Sequence, residues 1–260
     1  MPMILDEIVK DTRQRVEALY DQDTLENWKS RASECHRPQF LFYETIRKHP
    51  FSIIAEVKKA SPSKGVISEP FNYLDIAQDY KDAHADCISV LTEPYHFLGK
   101  NKHLKDIKNQ TSMPVLRKDF IIDEIQIYES IVLGADCILL ICSILSEEQL
   151  SKFITIAHSF GLSVLVEAHD LSEVKKALAS GSEMIGVNNR DLKTFTVDVN
   201  HSLRLRKHVH DGILFVSESG IASPEDIKQV KAHNIHAVLI GEALMRSPNK
   251  KALIKEYKDA

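Results

Sequence analysis

Eight short apolar segments recur along this chain at spacings too long for hairpins and too regular to ignore. They fall at 52–57, 86–91, 114–118, 136–141, 163–167, 184–188, 213–217 and 236–240, with starts 21 to 34 residues apart. Most are continuous in Val, Ile and Leu. A strand with one wet face alternates, so continuous runs predict parallel strands covered on both faces. Between them lie segments of helical periodicity with a polar face, such as "LDIAQDYKDAHA", "DEIQIYESIVLGA", "SEEQLSKFITIAHSFG", "DLSEVKKALASG" and "SPEDIKQVKAHN". Ser223 stands as an N-cap with Pro224 at the first helical position and Asp226 three residues on, while Gly134, Gly161 and Gly181 stand where helices should stop. Strand then helix, eight times, predicts an α/β fold of the (β/α)8 TIM barrel type. A doubly wound sheet is the alternative, but no G-x-G-x-x-G follows the first strand. The 260 residues suit one such barrel, so 1–260 reads as a single domain.

Some fifty residues precede the first strand. Residues 4–20 place Ile8, Val9, Val16, Leu19 and Tyr20 on one helical stripe, which predicts an amphipathic helix packed on the barrel. A second short helix is expected over 40–48. Residues 1–50 thus form an N-terminal helical extension, which would either close one end of the barrel or cover a substrate.

Composition removes several classes of function. A net charge of −4 gives no basic excess for nucleic acid, and "CILLIC", the longest apolar run, is far shorter than a membrane span. Cys35, Cys87, Cys137 and Cys142 form no C-x-x-C pair and read as reduced structural thiols. Asp6 and Glu7 follow the first five residues directly and deny them the apolar core of a signal peptide, so a cytoplasmic location is expected. Twelve histidines show no H-E-x-x-H or Cys/His cluster, and no metal is expected.

In a barrel of this kind functional groups stand at the C-terminal ends of the strands. Those ends carry Glu56 and Lys58; Thr92 and Glu93; Arg117, Lys118 and Asp119; Glu167; Asn188, Asn189 and Arg190; Ser217, Glu218 and Ser219; and Gly241 and Glu242. Residues two apart share a face of a strand, so Glu56 and Lys58 go with Ile54, Lys118 with Leu116, Glu167 with Leu165, and Asn188 with Gly186. Arg117 and Asp119 have the opposite parity and should pair among the helices. A lone lysine at a strand end is ordinarily a solvated loop residue, but two lysines and two glutamates converging in one apolar mouth are costly to desolvate without a function. The stretches "SESGIASPEDI" and "LIGEALMRSP" put Gly220 and Gly241 at strand-to-helix turns, where backbone N–H groups can receive an anion, with Ser61 or Ser63 adding a hydroxyl.

The segments "IIAEVKKASPSKG", "VLTEPYHFLG", "PVLRKDFIIDEIQI", "GADCILLI", "LVEAHD", "IGVNNRDL", "VSESGI" and "LIGEALMR" resemble, in order and spacing, the indole-3-glycerol-phosphate synthases, over about residues 4–250. The E-x-K-x-x-S-P-S loop together with K-D-F and N-x-R-D-L sets that family apart from other phosphate-binding barrels. The resemblance implies a lyase without cofactor that converts 1-(2-carboxyphenylamino)-1-deoxyribulose 5-phosphate to indole-3-glycerol phosphate, carbon dioxide and water in tryptophan biosynthesis. It implies that Lys118 is the general acid of ring closure, that Glu167 is the acid/base of dehydration, and that Lys58 faces the substrate carboxylate or serves as a second acid. By the same resemblance Glu56 holds the lysine network and the substrate amine, Asn188 and Arg190 orient the anthranilate end with Ser219 near the same ring and Glu218 nearby, and Phe97 and Leu139 wall the ring. Ser61, Gly220, Gly241 and the backbone of Glu242 would hold phosphate. Glu242 stands where a small hydroxyl residue is common, and its side chain is expected to turn from the anion. The Ser/Lys/Gly-rich first loop is a candidate lid. A monomer is expected, with association with other enzymes of the pathway as a further expectation.

Three other readings fit a phosphate-binding barrel. An isomerase would use a Cys/Asp or Asp/Asp pair where this chain has Lys and Glu. A Schiff-base aldolase would use Lys118 or Lys58 and trap with borohydride. A binding scaffold without activity would have no need of the acid/base set.

Overall fold

The computed structural model describes residues 4–191 and 195–260, so Leu192 of the N-x-R-D-L stretch and the first three residues lie outside the description. Eight parallel strands close into a barrel: β1 (Ser52–Val57), β2 (Cys87–Leu91), β3 (Val115–Lys118), β4 (Cys137–Ile141), β5 (Ser163–Ala168), β6 (Met184–Asn188), β7 (Leu214–Glu218) and β8 (Ala237–Ile240). Each pairs with its sequence neighbours, and β8 closes on β1 with Ile54 opposite Leu239. All eight expected strands are present, within a residue of the expected bounds. The Ser223 capping box forms, and Gly134, Gly161 and Gly181 take the left-handed conformation just beyond their helices.

The barrel interior is built in layers from alternate strands. Ile54, Leu116, Leu165 and Val216, from β1, β3, β5 and β7, belong to one buried apolar cluster. Two residues further along the same four strands come Glu56, Lys118, Glu167 and Glu218. A layer of four aliphatic side chains is therefore capped by a layer of four charged ones, because period two carries each strand's inward face from core to mouth.

The N-terminal extension reaches both ends of the barrel. Helix α1 (Ile4–Gln22) buries Ile8, Thr12, Val16 and Leu19. Tyr20, expected on that stripe, is instead 42% exposed, with its hydroxyl donating to Asp123 at 3.0 Å. It follows Leu19 by 100° of helical rotation, which carries it off the buried face. Arg15 fixes α1 to the C-terminal end of β3 through Asp119 at 2.9 Å, and Ile4, Leu5 and Ile8 reach the barrel mouth. Helix α2 (Leu25–Ser33) was not foreseen, although Thr24 caps it through the Asn27 N–H at 3.2 Å and its Trp28 is buried. Helix α3 (Leu41–Lys48) plugs the opposite end, inserting Phe42 and Ile46 into the interior cluster, while the Tyr43 N–H donates to Ser163 at the start of β5. Among the described residues no helix is long and apolar enough to cross a membrane.

Candidate active site

A cavity of about 610 Å³ opens at the C-terminal mouth, within the size range of small-molecule sites. Glu56, Lys58, Ser61, Phe97, Lys118, Glu167, Asn188, Arg190, Glu218, Ser219, Gly220, Gly241 and Glu242 all line it, so every site residue expected from the sequence meets in one place. Leu139 and Phe120 join Phe97 as apolar wall, and the Phe97 and Phe120 ring centroids are 6.1 Å apart.

Lys118 is the centre of the charged layer. Its Nζ donates to Glu167 Oε2 at 2.7 Å and to Glu218 Oε2 at 2.6 Å. Beside it Lys58 Nζ donates to Glu56 Oε1 at 2.5 Å. Burial works against the Lys118 charge, but Glu167, Glu218 and Glu56 outweigh it and hold the ammonium above its ordinary range. The two carboxylates on Lys118 part company. Burial raises both; Glu167 is nevertheless pulled down to about 2 by Lys118 and His169, while Glu218, with Glu167 and Glu56 as like-charged neighbours, is pushed up to about 7. The geometry supports that division. Glu167 Oε1 lies 3.4 Å from the Asn188 amide donor and 3.3 Å from His169 Nε2, whereas Glu218 Oε1 is buried without a hydrogen-bond partner among the described residues. Counted with Lys58, the layer has three carboxyl groups against two ammoniums, and Glu218 is the one that sheds the excess negative charge.

A carboxyl group raised by folding holds a proton that the unfolded chain releases. Its contribution to stability is greatest near the ordinary carboxyl range and is lost as pH rises through about 7. Glu218→Gln removes that loss, so the variant should gain on the wild type by roughly 2 to 3 kcal/mol between pH 5 and pH 8 in urea unfolding. A difference that shrinks with rising pH would reverse the assignment.

Two glycines make room for these side chains. Gly186 sits inside β6, where a Cβ would collide with Glu218 Oε1, and at Gly241 a Cβ would collide with Glu56 Oε1 and crowd Lys58 Nζ. A glycine in a strand interior marks such a close approach.

One part of the cavity wall combines Gly220, Ile221 and Ala222 after β7 with Gly241, Glu242 and Ala243 after β8, the last three at the start of the short helix Glu242–Arg246. The first N–H groups of a helix have no intrahelical acceptor and are free to meet an anion. Ser219 holds a left-handed φ of 65° beside Gly220. The Glu242 side chain stays on the cavity wall, ion-paired with Arg246 at 3.0 Å and with Arg190 and Lys64 at 3.7 and 3.9 Å.

Other polar strand ends serve the frame. Arg117 is buried and pairs with Glu129 at 2.8 Å and Asp119 at 3.3 Å, as its parity required. Asp119 reaches the cavity edge, but its oxygens are taken by Arg15 and Thr92. Glu93 accepts the backbone N–H groups of Tyr95, His96 and Phe97, which shapes the loop that delivers Phe97. Asn189 ties Ser217 to Ser202 behind the site. The sequence reading passed over His169, although it lies two residues beyond Glu167, and passed over the Arg246 and Lys64 partners of Glu242.

Solved structures with this architecture include 3-hexulose-6-phosphate synthase from Salmonella typhimurium (TM-score 0.66, 16% identity, covering 80% of this chain and 97% of that one) and KGPDC from Streptococcus mutans (0.63, 12%, 80% and 96%). At such identities the likeness shows the fold alone. Sequence relatives are much nearer. The indole-3-glycerol phosphate synthase of Ruminiclostridium cellulolyticum is 53% identical over 246 residues, 94% of this chain and 95% of that protein. The one from Endomicrobium trichonymphae is 49% identical over 258 residues, 99% of this chain and 100% of that protein. Residues 5–257 match the family's own sequence pattern, and the chain belongs to the indole-3-glycerol phosphate synthase family.

Proposed function

We propose that this chain closes the indole ring of indole-3-glycerol phosphate from 1-(2-carboxyphenylamino)-1-deoxyribulose 5-phosphate, and that the charged layer at the barrel mouth divides the proton transfers. The observation that carries the residue roles is Lys118, held charged between Glu167 and Glu218 in the wall of a cavity also lined by the turns after β7 and β8 and by Phe97 and Phe120.

In the first step the ring carbon bearing the carboxylate attacks the ribulose carbonyl. The carbonyl oxygen gains negative charge, and Lys118 gives it a proton. An alkoxide is more basic than an amine, so this transfer runs downhill even from a tightly held ammonium. Loss of carbon dioxide then restores the aromatic ring with the electron pair of the broken C–C bond. The hydroxyl formed in the first step leaves as water after taking a proton, while Glu167 accepts the proton lost from the neighbouring carbon. Lys58, held by Glu56, is placed to meet the substrate carboxylate before it departs or to protonate the leaving hydroxyl. Asn188 and Arg190 orient the anthranilate end beside Phe97, and the N–H groups at Gly220, Gly241 and Glu242, with the Ser61 hydroxyl, hold the phosphate. The site works in a monomer, with every named group drawn from one chain.

Purified protein given this substrate should develop indole fluorescence and release one carbon dioxide per indole formed. Absence of both with a folded protein would remove the reading. Borohydride with substrate should leave the protein unmodified, since no step joins substrate to a lysine as an imine; a stable adduct on Lys118 or Lys58 would favour the aldolase instead.

A further inference from the structure

His169 lies outside the cavity lining, yet it is built into the charged layer from behind. It stands in the turn just past β5, two residues beyond Glu167, and its Nε2 is buried 3.3 Å from Glu167 Oε1 with no hydrogen bond of its own among the described residues. On the other side of the ring Nδ1 lies 3.3 Å from Glu173 Oε2, and the same carboxylate oxygen accepts the His169 backbone N–H at 2.7 Å. The His169 carbonyl accepts from His201 Nε2 at 2.6 Å. Backbone and ring are thus both clamped, and the ring nitrogen that remains lies beside Glu167 Oε1, the carboxylate oxygen opposite the one Lys118 holds.

We propose that His169 is the positioning residue of Glu167, its ring bridging Glu173 and Glu167 so that the Glu167 carboxylate keeps one anchor while its other oxygen leaves Lys118 to work on substrate. The idea rests on the acid/base role given to Glu167 above. Such an anchor is useful because Lys118 must surrender its proton in the first step, and Glu167 then loses the cation that held Oε2. A charge on the ring keeps the carboxylate ionised and ready as a base. The charged groups facing His169 are Glu167 at the end of β5, Asp170 and Glu173 at the start of the helix Leu171–Ala179, and Glu218 at the end of β7. Burial disfavours the imidazolium, but the hydrogen bond to Glu173 and the charges of Glu167, Glu173 and Glu218 raise it above the ordinary histidine range.

The test is His169→Asn and Glu173→Gln in the full-length protein; the glutamine keeps an acceptor for the His169 backbone N–H. In His169→Asn, kcat should fall about tenfold with KM within about twofold, and the acid limb of the kcat profile should move up by about one pH unit, since a carboxylate that loses a cationic neighbour is harder to ionise. Glu173→Gln should move the limb in the same direction by less. A purely structural strap would lower the melting temperature and the rate but leave the limb in place, and that result in both variants overturns the proposal. Should His169→Asn not fold, Glu173→Gln decides alone. Titration of carboxyl-labelled glutamate by carbon-13 NMR reads the Glu167 shift without substrate, so failure of the positioning role is distinct from failure of the proposed reaction, which the wild-type assay reports.

Discussion

Lys118→Met should fold to the same barrel and form indole about a thousandfold more slowly than the wild-type chain, the size expected for loss of a positioned general acid. The prediction follows from geometry that leaves Lys118 no rival within the first layer: it is the cation that Glu167 and Glu218 jointly hold, whereas Lys58 is tied to Glu56. Removing it also leaves two buried carboxyl groups facing each other. Breaking a buried ion pair costs roughly 3 to 5 kcal/mol, eased here because Glu218 can take up a proton, so a fall in melting temperature of several degrees should accompany the loss of rate. Lys118→Arg separates the two effects. It keeps the charge but cannot give up a proton at any working pH, so it should recover stability without recovering turnover. Fluorescence assays and thermal unfolding of both variants make the check. Activity within tenfold of wild type in either one would move the acid role to Lys58.

Glu167→Gln should lower kcat by about 10² to 10³ and change KM by no more than a few fold, because its work falls after the substrate is bound. The order of products makes the sharper test. If Glu167 acts in dehydration, carbon dioxide should appear in the first turnover ahead of indole fluorescence, with the decarboxylated, still hydroxylated intermediate accumulating between them. Simultaneous slow release of both would place Glu167 at ring closure instead. The variant should also lose one source of the wild type's acid sensitivity. Glu167 is held at about 2 in the folded chain, so its contribution to stability is present above the ordinary carboxyl range and is lost as pH falls toward 2; the glutamine has no such dependence.

Much of this site could be read from strand parity. Glu56, Lys118, Glu167 and Glu218 each follow an interior aliphatic residue by two positions, and a strand with both faces covered gives a polar residue on its inward face no solvent to escape to. The same count of two, carried one step past the end of β5, reaches His169, which stands within the LVEAHD segment but had no chemical role attached to it. Helix α2 escaped notice because its apolar residues are few, and its Trp28 is stable only against other helices. Tyr20 shows the limit of a stripe drawn from sequence, since one residue of rotation at its edge separates core from solvent.

Local sequence therefore determined the eight strands, their inward faces, the helix caps and the glycine turns, all of which depend on neighbours within a few residues. The tertiary structure alone decided which charges meet. That Lys118 lies between Glu167 and Glu218, 49 and 100 residues away, is a property of barrel closure. So is the difference between two glutamates of the same parity, one pulled below the ordinary carboxyl range and one pushed up to about 7, because the field at each buried group depends on partners brought in from other strands.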